Sequence, residues 1–189
     1  MRKIILGLAV SLDGFIEGPN GEYDWCFTDQ DYGLSDFFKR VDAVFIGRKS
    51  YELTQNMGEA PPGMPKMKEY IFSNTITEVK EGALVVSGDI KAQVDQIKNM
   101  EGKDIWLFGG ASLTSSLMNL GLVDEIWLSI HPVILGGGKP LFSDIKNRIQ
   151  LRLKESKTYS TGLVSVIYEV QNEAHLNKNK AEDTSAVIV

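Results

Sequence analysis

Asp42-Ala43-Val44-Phe45-Ile46-Gly47-Arg48-Lys49-Ser50 is a short apolar run that ends at a glycine, two cations and a hydroxyl. Asp42–Ile46 reads as a strand and Arg48–Gln55 as a short helix, so Gly47 marks a strand-to-helix turn. The unit recurs along the chain. Lys68–Phe72 is a second strand, followed by Ser73-Asn74-Thr75. Asp104–Phe108 is a third, followed by Gly109-Gly110-Ala111-Ser112 and a helix carrying Leu113, Leu117 and Leu120. If these strands are parallel, all three turns lie along one edge of a sheet. Open α/β sheets bind ligands at that carboxyl edge.

The flanking segments agree. Ile4–Val10 is continuously apolar, as expected of a strand buried on both faces. Ser11–Glu22 is rich in Gly, Asp, Asn and Pro and reads as a long loop. Leu34, Phe37, Phe38 and Val41 are spaced as on one helix face, which predicts a helix over 29–40. Ala60–Pro65 reads as irregular, Ala83–Val86 as a strand, and 89–99 as a helix capped by Asp89 or Ser87. Glu125–Ile130 is a further strand. Ile149, Leu151 and Leu153, and then Val164, Val166, Tyr168 and Val170, alternate with polar neighbours. With a turn at Tyr159–Gly162 they form an antiparallel hairpin. The expectation is one α/β domain over 1–170: a mixed, mostly parallel sheet with helices on both faces. A polar tail follows over 171–189, and its apolar end, Ala186–Val189, is either loose or docks on the body or a partner subunit.

Composition excludes several classes. The chain has 189 residues, 43% of them hydrophobic, and a net charge of −5. A mildly acidic protein lacks the broad basic surface that non-specific nucleic-acid binding requires. No apolar run reaches the roughly 18 residues of a membrane span. The apolar start is too short, and lacks the cleavage site, for a signal peptide, so the expected location is cytoplasmic. Cys26 is the sole cysteine, and His131 and His175 are the only histidines, so no metal site is expected. There is no G-x-G-x-x-G after the first strand. Gly136-Gly137-Gly138-Lys139 lacks the first glycine and the Ser/Thr of a Walker loop, and reads as a flexible or ligand-contacting loop.

The three turns suit anions. Glycines allow close backbone approach, and helix N-termini present N–H groups and partial positive charge. Arg48 and Lys49 add formal charge; Ser50, Ser73, Thr75 and Ser112 add hydroxyls. The pattern fits a pyrophosphate plus one extra phosphate, which is NADP rather than NAD.

Taken in order, Ser11-Leu12-Asp13-Gly14-Phe15-Ile16, Asp24-Trp25, Gly47-Arg48-Lys49-Ser50-Tyr51-Glu52, Phe108-Gly109-Gly110 and Pro132–Phe142 resemble the dihydrofolate reductase-like superfamily. The similar branch is the C-terminal reductase domain of the riboflavin-biosynthesis deaminase-reductase. The resemblance covers about 3–170 and implies an eight-stranded sheet. It also implies an NADPH-dependent reductase that passes hydride to a pteridine- or pyrimidine-like heterocycle, similar to a 5-amino-6-(5-phosphoribosylamino)uracil reductase or a dihydrofolate reductase. It carries cofactor phosphates onto Gly47, Arg48, Lys49 and Ser50, and the 2′-phosphate side onto Ser73 and Asn74. Gly109 and Gly110, often cis-linked in the family, approach the pyrophosphate and nicotinamide, with Ala111 and Ser112 beside them. A mobile loop from Ala9 covers the nicotinamide, with Asp13, Gly14 and Trp25 as its substrate-side residues.

The sequence departs from the family at the acid of the first helix. Leu34 occupies that position, and Asp31, one turn away, is the candidate catalytic residue; the plainer reading is a solvated helix-end aspartate. The deaminase motifs are absent. His131 reads as a satisfied structural histidine, Trp106 and Trp127 as core, and Cys26 as unreactive. A different class also fits the same residues: a non-catalytic NADP-binding or regulatory module that dimerises, the final hairpin offering an edge for a homodimer.

Overall fold

The computed structural model describes residues 1–56 and 63–171. In chain order the elements are β1 (Ile4–Ser11), β2 (Phe15–Glu17), α1 (Leu34–Arg40), β3 (Val41–Gly47), α2 (Arg48–Asn56), β4 (Lys68–Phe72) and β5 (Leu84–Val86). There follow α3 (Ile90–Asn99), β6 (Asp104–Gly109), α4 (Ala111–Asn119), β7 (Glu125–His131), β8 (Lys139–Pro140), β9 (Gln150–Thr158) and β10 (Val164–Gln171). Eight strands form one sheet in the order β5-β4-β3-β6-β1-β7-β10-β9. The first six are parallel; β10 runs antiparallel to β7 and to β9, so β9 again points the way of the six. This is the expected mixed α/β sheet.

Alternation along the strands feeds two layers. Ile4, Leu6, Phe45, Ile105 and Leu107 pack with Val94 and Ile97 of α3 and Leu113 and Leu117 of α4. Their neighbours in sequence face the other way. Val44, Ile46 and Ile71 meet Tyr51 of α2, and Ile5 and Val41 meet Phe37 of α1. Helices therefore cover both faces. That is why β1 has no polar face: Ile4, Ile5 and Leu6 are all fully buried.

Four local readings are corrected. The first helix starts at Leu34, not at 29, because Tyr32 and Gly33 have positive φ (48° and 89°) and turn the chain out of the right-handed helix. Val41, read as its last periodic residue, opens β3 instead. The loop over 11–22 contains β2, which pairs with β8 to form a small two-stranded sheet. Strand β9 alternates as expected but has no buried face; Leu151 and Leu153 are 41% and 53% exposed, because β9 is the sheet's last strand. Of the two helix caps considered, Asp89 is the one used, accepting from Ala92 N at 3.1 Å. Residues 60–62 of the irregular segment and 172–189 of the tail lie outside the described residues.

Candidate active site

The sheet order makes β4, β3 and β6 neighbours, so their three following turns line up at the carboxyl edge. They enclose a cavity of about 470 Å³. Gly47, Arg48, Lys49 and Ser50 line one side, Ser73, Asn74 and Thr75 a second, and Gly110, Ala111 and Ser112 a third. Of the predicted cofactor residues, all but Ala9 and Gly109 line this cavity. Gly109 stands directly behind it: a Cβ on Gly47 would lie 3.5 Å from its carbonyl oxygen.

The close approach explains the glycines. Gly109 has φ +99°, and the Gly109–Gly110 peptide is cis. A Cβ on Gly110 would come within 3.1 Å of Ser50 Oγ, so any side chain there would crowd the hydroxyl. The first turn of α4 begins at that point, and its leading N–H groups have no helical acceptor. Ser73 Oγ accepts from Thr75 N and Ile76 N at 3.1 and 2.9 Å, which fixes its turn and leaves its proton to donate. Arg48 pairs with Glu52 at 2.8 Å on the exposed helix face. Lys139, from the loop read as flexible or ligand-contacting though not among the predicted cofactor residues, lines the same cavity and pairs with Glu17 at 2.7 Å. Glycine cradle, hydroxyls and three cations together make a donor set that suits an anionic ligand.

A second cavity, of about 250 Å³, opens beside the first. Phe108 lines one and Gly110, two residues on, lines the other. Its walls are aromatic: Phe27, Tyr32, Phe37, Trp106, Phe108 and Trp127. Ala9, assigned to the cofactor from sequence, sits here with Gly7 and Leu8. Trp106 and Trp127, read as core, are half-buried cavity walls. The period of two contained that signal, since Trp106 and Phe108 share a face opposite buried Leu107, but it does not distinguish a core from a cleft. Leu34 lines this cavity at the helix position where the family resemblance places an acid.

His131 is buried at the wall. Phe27 N donates to its Nε2 at 3.0 Å, and its Nδ1 lies 3.0 Å from Ser129 O. Those partners specify the neutral ring with the proton on Nδ1, and burial pushes its pKa down. Trp25 stacks edge-on against it, ring centres 5.4 Å apart, and so supports the wall from behind. Burial, with Asp24 nearby, pushes the Cys26 thiol up to about 11.

Besides Gly109, four predicted residues line neither cavity: Asp31, Asp13, Gly14 and Trp25. Asp31 is exposed, and its carboxylate accepts from Ser35 Oγ, Ser35 N and Gly33 N, which satisfies the open start of α1. Those bonds hold its pKa below the ordinary value. Asp13 accepts from Ser11 Oγ, Gly136 N and Leu135 N. It ties the loop after β1 to the glycine loop before β8, and the same bonds lower its pKa. Gly14, at φ +88°, turns that loop and accepts from Leu141 N through its carbonyl. Among the described residues no cluster of metal-ligating side chains exists, and no helix is long and apolar enough to cross a membrane.

The chain is 48% identical over 177 residues to the Bacillus subtilis protein named "Uncharacterized protein YyaP", covering 88% of this chain and 94% of the relative. It is 24% identical over 206 residues to a 2,5-diamino-6-ribosylamino-4(3H)-pyrimidinone 5′-phosphate reductase of Methanothermobacter thermautotrophicus, covering 85% and 95%. A dihydrofolate reductase of Enterococcus faecalis, solved with NADP(H), superposes with a TM-score of 0.66 at 12% identity, covering 90% of this chain and 97% of that one. The family model of the RibD C-terminal domain matches residues 2–165. With its sheet order and edge turns in place, the chain belongs to the RibD C-terminal domain family and has a dihydrofolate reductase-like fold.

Proposed function

We propose that the protein is an NADPH-dependent reductase acting on a pteridine- or pyrimidine-like heterocycle. One observation carries this reading. A cavity lined by cations, hydroxyls and glycines abuts an aromatic cavity, and Phe108 and Gly110 of one strand end open onto the two. The matching family and the reductase among the relatives support the same reaction class.

Gly47, Ser50, Gly110 and Ser112 would hold the pyrophosphate, with Arg48, Ser73 and Asn74 on the additional phosphate. Ala9 and Gly109 would flank the nicotinamide. When bound, NADPH supplies hydride, and its oxidation to NADP⁺ balances a two-electron reduction completed by one proton from water. The chain's own work is to stack the substrate ring and to exclude bulk water. His131 is not the proton source, because both of its nitrogens are engaged. Calorimetric titration with NADPH and NADH tests the cofactor assignment. Binding of NADPH at least tenfold tighter supports it, and equal affinity removes it.

The engaged side chains also favour a second reading, a non-catalytic NADP-binding module. Saturable NADPH oxidation with any pterin or pyrimidine would eliminate it. A homodimer through the exposed edge of β9 is compatible with both readings and is checked by sedimentation.

A further inference from the structure

The aromatic cavity is uncharged. Among the described residues that line it there is no Lys, Arg, Asp or Glu. Its polar side chains are also largely committed to the protein. Trp106 Nε1 donates to Gly7 O at 2.7 Å, and Trp127 Nε1 donates to Ser165 Oγ at 3.0 Å. The Tyr32 hydroxyl sits 2.6 Å from Asp29 Oδ1 and donates to it. His131 is engaged at both nitrogens. What faces the cavity is mostly ring surface.

The nearest titratable groups do not alter this. A smaller cavity that shares Gly33 and Trp127 contains Lys157, but also Glu155 and Asp36. Lys157 Nζ lies 4.9 Å from the Tyr159 ring centre. Lys39 neutralises Asp36 at 2.8 Å, so Lys157 stands beside Glu155 in a neighbourhood with no net positive charge to hold a phosphate. Arg40, at the far end of α1, is held by Asp104 and Glu125 at the opposite edge of the sheet.

We infer that the substrate is a flat, uncharged heteroaromatic molecule without a phosphate group, bound by stacking between aromatic walls. The inference rests on the reading of this pocket as the substrate site and narrows it. A phosphate placed here would lose its hydration without gaining a cation, whereas an uncharged ring loses little and gains aromatic contact.

The test compares two probes that differ only in a phosphate: riboflavin and riboflavin 5′-phosphate. Flavin fluorescence anisotropy is measured on the full chain saturated with NADP⁺, whose own binding is measured first by calorimetry. Riboflavin is expected to bind at least tenfold tighter. Leu34→Arg, at a half-exposed position on the cavity wall, is expected to narrow that ratio at least threefold by supplying a cation. Equal or tighter binding of the phosphorylated probe overturns the inference, and so does failure of both flavins to bind a chain that binds NADP⁺. Failure of NADP⁺ itself to bind overturns the cofactor reading instead.

Discussion

The two ends of the parallel sheet are built from opposite materials. At the carboxyl edge the strands finish in glycines, hydroxyls and cations that border open cavities. At the amino edge they begin in ion pairs that close on one another. Glu125, at the start of β7, is fully buried and takes Lys3, Arg40 and Lys154 at 2.8, 2.8 and 2.7 Å. Asp124 takes Lys98 Nζ at 2.7 Å and Ile4 N at 2.8 Å. Asp104 accepts from Lys3 N and Arg40, and Asp42 pairs with Arg2. Charge at one end is spent on registering strands, and at the other it is left facing a cavity. The same residue types thus register strands where they gather around buried carboxylates, and line a cavity where Arg48 and Lys139 each meet one partly exposed glutamate.

Glu125→Gln should have the largest effect and break the amino edge alone. Burial pushes this carboxyl's pKa up, but hydrogen bonds from Lys154, Lys3 and Arg40 outweigh burial and hold it at about 2. Removing the charge leaves three cations against a buried amide. The cost should be about 3 kcal/mol, at the lower end for a buried pair because the cations reach water. Urea unfolding at neutral pH reads this, and NADPH affinity of the folded variant should stay within twofold of wild type.

The same carboxylate sets a pH dependence. Its folded pKa is depressed below the ordinary 4.5, so its contribution is present above that value and lost as pH falls toward about 2. His131, with its pKa also depressed, begins to cost stability as pH drops below 6.5, since the unfolded chain protonates first. Urea midpoints against pH should fall for wild type through both windows. In Glu125→Gln the lower fall should be much shallower.

Arg48→Ala should do the reverse. Its pair with Glu52 is exposed and contributes well under 1 kcal/mol, so stability should barely change. NADPH affinity should drop about tenfold and NADH affinity much less, as for a lost charge-assisted contact. Equal losses for the two cofactors would place Arg48 away from the additional phosphate. The smallest effect should come from Ser73→Ala, which removes one hydroxyl: about 1 kcal/mol of NADPH affinity by calorimetry.

These contrasts were unequally legible in the sequence. The carboxyl edge was readable, because glycines and cations directly after short apolar runs are local signals. Gly47 through Ser50, Ser73 and Gly110 through Ser112 all face one cavity. The amino edge was not, because Glu125, Lys3, Arg40 and Lys154 meet only through strand order. The aromatic cavity fell between: Trp106 and Trp127 alternate as core residues do, and only their incomplete burial reveals a cleft. Asp31 shows the limit of helix spacing, since the left-handed turn at Tyr32-Gly33 directs it to the start of α1 rather than to the cavity.

The most direct test of the division between the two edges is an amide chemical-shift map of the ¹⁵N-labelled protein during NADPH titration. The largest shifts should fall on Gly47, Ser50, Ser73, Gly110 and Ser112, while Lys3, Asp104 and Glu125 stay in place. Shifts centred on the amino edge, or no shifts at saturating NADPH, would contradict the assignment of cofactor binding to the glycine turns.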